Sequence, residues 1–160
     1  MLGNGMKIWL IQAVIAPYRI PLFKRISETP GVDFTLVLLS TRFKTRPQWK
    51  VDLRELPFRV KPIPGIAVKT SHETQVCLNP TLFFSAARHR PDVIICGGYN
   101  LSSLAAMAYA RVFQRHYAIW TESTHTTEQG ISRAKARLRK LLMDRACAFV
   151  DAGTDSRRYV

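Results

Sequence analysis

Five short apolar runs, each bounded by turn residues and each nearly unbroken in hydrophobicity, recur along the chain. They are KIWLIQAV (7–14), DFTLVLLS (33–40), DVIIC (92–96), YAIWT (117–121) and AFVDA (148–152). A strand with one wet face alternates apolar and polar residues. These runs do not alternate, so both of their faces must be covered, as in a parallel sheet packed between helices. PFRVKPI (57–63) reads as a weaker, more exposed strand.

Helix signals fill the gaps. PLFKRISE (21–28) opens with Pro21 at a first helical position, and Leu22, Phe23 and Ile26 share a face. Asn79-Pro80 is a helix start ahead of Leu82, Phe83, Ala86 and Ala87, and Pro91 ends that helix. Asn100 caps the next helix, with Leu101, Leu104, Ala105, Ala108 and Val112 at helical spacing. ISRAKARLRKLLMDRA (131–146) places Ile131, Ala134, Leu138, Leu141 and Leu142 on one side. Strand and helix alternate in this order in α/β folds. The expected architecture is Rossmann-like: a doubly wound, mostly parallel sheet with helices on both faces.

The chain has 160 residues, 47% of them hydrophobic, enough for one domain with a real core. Its formal net charge of +13 points to an anionic partner: nucleic acid, a membrane surface or a phosphorylated ligand. Cys77, Cys96 and Cys147 form no CxxC pair, and their odd count and wide spacing suit reduced thiols in a cytosolic protein. The histidines have no metal-ligand spacing with cysteines or acids, and neither a metal nor a cofactor is expected. The N-terminal run IWLIQAVIA is too short for a membrane span and lacks the flanks of a signal peptide.

In open α/β sheets, ligands bind beyond the carboxyl ends of the strands, near the point where strand order reverses. Three loops there carry chemistry: VIAPYRI (14–20), GGYN (97–100) and ESTHTT (122–127). Gly97 and Gly98 permit close backbone approach to an anion at a helix start, or simply make a tight turn; Tyr99 and Asn100 follow them. The fingerprint of a dinucleotide site is incomplete here. Arg19 is suited to hold a phosphate and Tyr18 to stack on a sugar or base. The bland reading makes Arg19 a solvated charge and Tyr18 a staple for the helix.

Glu122 directly follows a buried strand. Desolvation there would suit it to proton transfer or to gripping a sugar hydroxyl, with Ser123 and Thr124 as further substrate contacts. The competing reading is an ion pair with an arginine such as Arg133. His125 is a weaker candidate base in a polar loop. On 131–146, Arg133, Arg137 and Lys140 recur on one flank and Lys135 and Arg139 on another, either as a membrane-binding face or as a solvated outer helix. Trp49 among Arg42, Arg46 and Lys50 would add an interfacial aromatic.

Taken in order, KIWLIQAVIAPYRIPLFKRIS, RPDVIICGGYNLSSLAAMAYAR, IWTEST and RAKARLRKLLMDRACAFVDAGTDSRRYV resemble the N-terminal, acceptor-side domain of glycosyltransferase family four. The resemblance implies one half of a GT-B fold, in which two Rossmann-like domains face each other across a cleft. The second domain would hold the nucleotide-sugar donor through a pair of spaced glutamates. Residues 1–160 are then the N-terminal domain, truncated before that donor domain; GTDSRRYV (153–160) starts a helix and stops after barely a turn. The implied activity is retaining transfer of a sugar from a nucleotide-sugar donor to a lipid-linked or cell-surface glycan acceptor. The implied setting is the cytoplasm, peripheral on the inner face of the plasma membrane. A retaining enzyme of this kind needs no protein nucleophile from this domain, because the donor phosphate helps deprotonate the acceptor. Two departures stand out. Loop 14–19 has no glycine where many members carry a pair, and Thr121-Glu122 stand where some members place a histidine. The alternative is a non-catalytic basic Rossmann-like module that binds nucleotide or nucleic acid. No nucleic-acid motif is visible, so nucleic acid is not the expected partner.

Overall fold

The computed structural model describes residues 5–41, 49, 51–69, 75–122, 131–151 and 153–159. Six parallel strands form the main sheet: β1 (Met6–Gln12), β2 (Val32–Leu38), β3 (Arg59–Pro62), β6 (Val93–Gly97), β7 (His116–Thr121) and β8 (Ala148–Asp151). Their order is β3-β2-β1-β6-β7-β8. The chain winds outward from β1 to one edge, returns, and winds outward from β6 to the other. The order therefore reverses between β1 and β6, which is the switch point of a Rossmann-like sheet.

Burial follows position in the sheet. Trp9, Leu10 and Ile11 of β1 and Leu36, Val37 and Leu38 of β2 are buried on both faces, as their unbroken hydrophobicity requires. The edge strands β3 and β8 keep exposed positions. On one face Trp9, Ile11, Val37, Ile94, Cys96, Tyr117 and Ile119 meet α2 (Leu82–His89), α3 (Leu101–Val112) and α4 (Arg133–Met143). On the other, Leu10, Phe34, Leu36 and Leu38 meet Phe23 of α1 (Ile20–Ser27) and the partly buried Val51, Leu53, Leu56 and Phe58. Fully burying one such leucine stabilises the fold by roughly 1.5–3 kcal/mol. The doubly wound α/β architecture is as the apolar runs predict.

Local differences have local causes. A 3-10 turn (Pro17–Arg19) precedes α1, so Pro21 sits one residue inside the helix rather than at its first position. The α2 helix starts after Thr81, not at Asn79. Asn79 is buried, and its Nδ2 donates to the carbonyls of Leu39 (3.0 Å) and Ile63 (2.9 Å). It ties down a two-stranded antiparallel ribbon that the sequence reading does not anticipate: β4 (Ile66–Lys69) and β5 (Gln75–Leu78). Arg90 takes a left-handed conformation that ends α2 ahead of Pro91. A short α5 (Thr154–Tyr159) docks through Ser156 Oγ, which donates to the Thr121 carbonyl at 3.1 Å. Among the described residues no helix is long and apolar enough to cross a membrane.

Candidate active site at the carboxyl edge of the sheet

Arg19 is the hub of the switch point. The 3-10 turn after β1 turns its side chain back over the sheet, where Nη1 donates to Gln12 Oε1 at 3.0 Å. Its Nη2 forms an ion pair with Glu122 at the exit of β7, 103 residues away in sequence. The guanidinium also lies over the rings of Trp120 (5.1 Å) and Tyr18 (5.5 Å), within cation–π range. The loop after β1 and the end of β7 are thus joined by one arginine. Arg19 is neither solvated nor idle.

Glu122 does not sit in the desolvated pocket that its position after a buried strand suggests. Its side chain is 55% exposed and paired with Arg19, not with Arg133. The strand buries the residue before it, Thr121, and releases Glu122 at the rim. A rim carboxylate held by a guanidinium is fixed in direction. It can accept a hydrogen bond from a hydroxyl, which differs from the proton-transfer role that desolvation would favour. Tyr18 is 67% exposed, its ring edge-on to Trp49 at 6.1 Å, so it presents a face outward instead of stapling α1.

Beneath this cluster lie two donors the sequence reading passed over. Gln12 is buried at the end of β1, and its Nε2 has no hydrogen-bond partner among the described residues; the same holds for Trp120 Nε1. Gln12 is detectable as the polar residue in the run IWLIQAV. A Cβ at Gly97 would stand 2.8 Å from Gln12 Nε2 and 2.9 Å from Oε1. A side chain at position 97 would therefore have to displace the end of the Gln12 side chain.

The rest of loop 97–100 is committed to its own fold. Gly98 has φ +86°, open to glycine, and its N–H donates to the Trp120 carbonyl at 3.0 Å. Asn100 Oδ1 caps α3 by accepting from the Ser103 N–H at 2.9 Å, and Ser103 Oγ donates to the Gly98 carbonyl at 2.8 Å. The tight-turn reading of GGYN accounts for these atoms. Behind it Cys96 is buried, and burial pushes its thiol up to about 12; burial raises Tyr117 as well.

Tyr99 and Asn100 face a different feature. They line a cavity of about 370 Å³ together with Ala13, Leu39, Val76, Cys77, Leu101, Lys135, Leu138 and Arg139. The Arg139 guanidinium sits 5.2 Å over the Tyr99 ring. The basic residues of α4 consequently divide. Lys135 and Arg139 line this cavity, Lys140 pairs with Asp144 at 3.2 Å, and Arg133 and Arg137 are exposed. The helix is also less amphipathic than its spacing suggests: Leu142 is buried, Leu138 is partly so, but Leu141 and Ala134 are exposed. Ser123, Thr124, His125, Arg42, Arg46 and Lys50 lie outside the described residues.

Neither a protein-family model nor a curated protein sequence matches the chain. Solved structures do match it in fold. One UDP-N-acetylglucosamine 2-epimerase aligns with a TM-score of 0.64 at 12% identity, covering 97% of this chain and 44% of that one. A UDP-N-acetylglucosamine 2-epimerase from Listeria monocytogenes aligns with a TM-score of 0.59 at 13% identity, covering 97% and 41%. S. aureus MnaA, solved with UDP, gives 0.60 at 14% identity, covering 96% and 39%. These are enzymes of the GT-B type, and the chain spans about two fifths of their length. At such identities the likeness is one of fold.

Proposed function

We propose that the chain is the acceptor-side half of a retaining glycosyltransferase of the GT-B type, working with a second α/β domain that holds the nucleotide-sugar donor. The observation that carries this reading is the Arg19–Glu122 pair, which gathers two strand-end loops over Gln12 and Trp120 at the reversal of strand order. Arg19 fixes the direction of Glu122. The Glu122 carboxylate accepts a hydroxyl of the acceptor and aims it across the cleft. Tyr18 offers a ring face for sugar stacking. The donor phosphate takes the acceptor proton, so this half contributes orientation and exclusion of water rather than a nucleophile.

A second reading is supported by the fold neighbours, which are UDP-N-acetylglucosamine 2-epimerases and a protein solved with UDP. An epimerase changes its nucleotide sugar with no acceptor present. The two separate cleanly when the full-length gene product is incubated with UDP-N-acetylglucosamine and other nucleotide sugars. Conversion to the C2 epimer in the absence of acceptor decides for the epimerase. Release of nucleoside diphosphate only when a glycan or lipid-linked acceptor is added, with retained anomeric configuration, decides for the transferase. In a transferase, Glu122→Gln lowers kcat/KM for the acceptor roughly tenfold or more, the size of one hydrogen bond to a charged group, and leaves donor affinity unchanged. The 160-residue chain alone turns over neither substrate.

A further inference from the structure

The two donors beneath Arg19 stand over adjacent positions of one row of the sheet. Gly97 pairs with Trp120 across β6 and β7, and the Gln12 amide lies against Gly97, where a side chain at 97 would stand. Gln12 is 7% exposed. Arg19 donates to its Oε1, so the amide has one orientation and Nε2 is its free end. Neither this Nε2 nor Trp120 Nε1 has a hydrogen-bond partner among the described residues, and both are sealed from solvent. A buried donor in that position has given up water with nothing in exchange.

The surroundings narrow what can meet these donors. Both are uncharged N–H groups, and the guanidinium beside them is already paired with Glu122, which disfavours an anion. Trp120 packs edge-on to Phe23 at 6.3 Å, within the apolar cluster of Leu10, Ile15 and Leu38. Neutral donors set among rings and aliphatic side chains suit a neutral acceptor atom next to an apolar group. A sugar hydroxyl brings a proton that needs an acceptor of its own. An amide carbonyl oxygen brings two lone pairs and no proton.

We infer that Gln12 Nε2 and Trp120 Nε1 form a subsite for the acetamido group of an N-acetylated sugar. The carbonyl oxygen accepts from both nitrogens, and the methyl rests among the rings. Arg19 covers the subsite, and its contact with the Trp120 ring is weaker than its hydrogen bonds. The group enters as the guanidinium tilts off that ring, with the bonds to Gln12 and Glu122 kept. The inference rests on the proposed function only in saying which sugar the acceptor presents; as a binding site it is tested without turnover.

The test follows the indole N–H signals of the 160-residue chain by nuclear magnetic resonance during titration with methyl N-acetylglucosaminide, beside methyl glucoside. Loss of one signal in Trp120→Phe, which keeps a ring under Arg19, assigns the Trp120 proton. Should that variant not fold, Trp9→Phe and Trp49→Phe assign it by elimination. A saturable shift of the Trp120 proton is expected with the acetamido sugar, with binding roughly tenfold or more tighter than that of methyl glucoside. Gln12→Glu keeps an acceptor for Arg19 and removes the donor, and Trp120→Phe removes the other; each weakens binding of the acetamido sugar roughly tenfold. A Trp120 proton that stays in place, as a resident water on these nitrogens would leave it, overturns the inference. So does equal binding of the two sugars, or undiminished binding by both variants. An acetamido sugar that binds while the full-length gene product transfers to no acceptor keeps the subsite and removes the transferase. Transfer indifferent to N-acetylation of the acceptor removes the subsite and keeps the transferase.

Discussion

Two sides of one sheet edge use polar residues in opposite ways. Over α1, Arg19 joins Gln12, seven residues before it at the end of β1, to Glu122 at the exit of β7, 103 residues after it. Over α3, the polar atoms of Gly98, Asn100 and Ser103 serve their own turn and helix start. In sequence these loops look equally promising. The difference teaches that a polar residue beside a helix start is first a servant of the backbone, whose early N–H groups need acceptors. A polar residue that reaches across the sheet has no such local duty, and its placement calls for another reason.

The comparison breaks most easily at Arg19. Arg19→Ala strips Gln12 Oε1 of its donor and uncovers Trp120, and should cost about 1–3 kcal/mol in a denaturant titration. On the proposed function, an acceptor glycan should then bind more weakly as well, which a purely structural arginine would not cause. A cost no larger than that of a helix cap would erase the distinction between the two sides.

The next effect concerns the dry interior behind the 97–100 loop. Cys96 and Tyr117 are buried acids whose folded values lie above their ordinary ones. Burial favours their protonated, neutral forms. Their contribution is therefore complete below the unfolded value, near 9.0 for the thiol, and is lost as pH rises toward about 12. For Cys96 alone the loss is at most about 1.4 kcal/mol per pH unit, or about 2 kcal/mol by pH ~10.5. Melting curves at pH ~8 and ~10.5 should show it, and Cys96→Ala should flatten that arm.

The smallest effect is Asn100→Ala. It removes the cap on Ser103 N–H and should cost about 1 kcal/mol by thermal melting, with Arg19 and Glu122 still paired. A cost several times larger would mean that Asn100 does more than end a helix.

Much of the fold was legible because parallel strands buried on both faces cannot hide their apolarity; β1, β2, β6 and β7 announce themselves. The ribbon does not. Its strands are four residues each, broken by prolines upstream, and its aliphatic face points to solvent, so no hydrophobic contrast marks it. Asn79 shows the same limit from the other side: beside Pro80 it has the signature of a helix start, yet a fold-level contact claims its amide. For the site, strand-end position was enough to single out Arg19 and Glu122. It could not reveal that they meet, because 103 residues of chain separate them. Nor could spacing on α4 reveal that Lys135 and Arg139 stand at the rim of a cavity while Lys140 meets Asp144.

The contact between Gly97 and Gln12 has a consequence for variation. The amide of one occupies the space a methyl of the other would need. Enlarging position 97 is tolerated only if position 12 shrinks or withdraws, and withdrawing Gln12 takes away the acceptor that holds Arg19. A library randomised at both positions should return matched pairs instead of independent choices. Two strands that never exchange a side-chain hydrogen bond at this point would then behave as a single genetic locus.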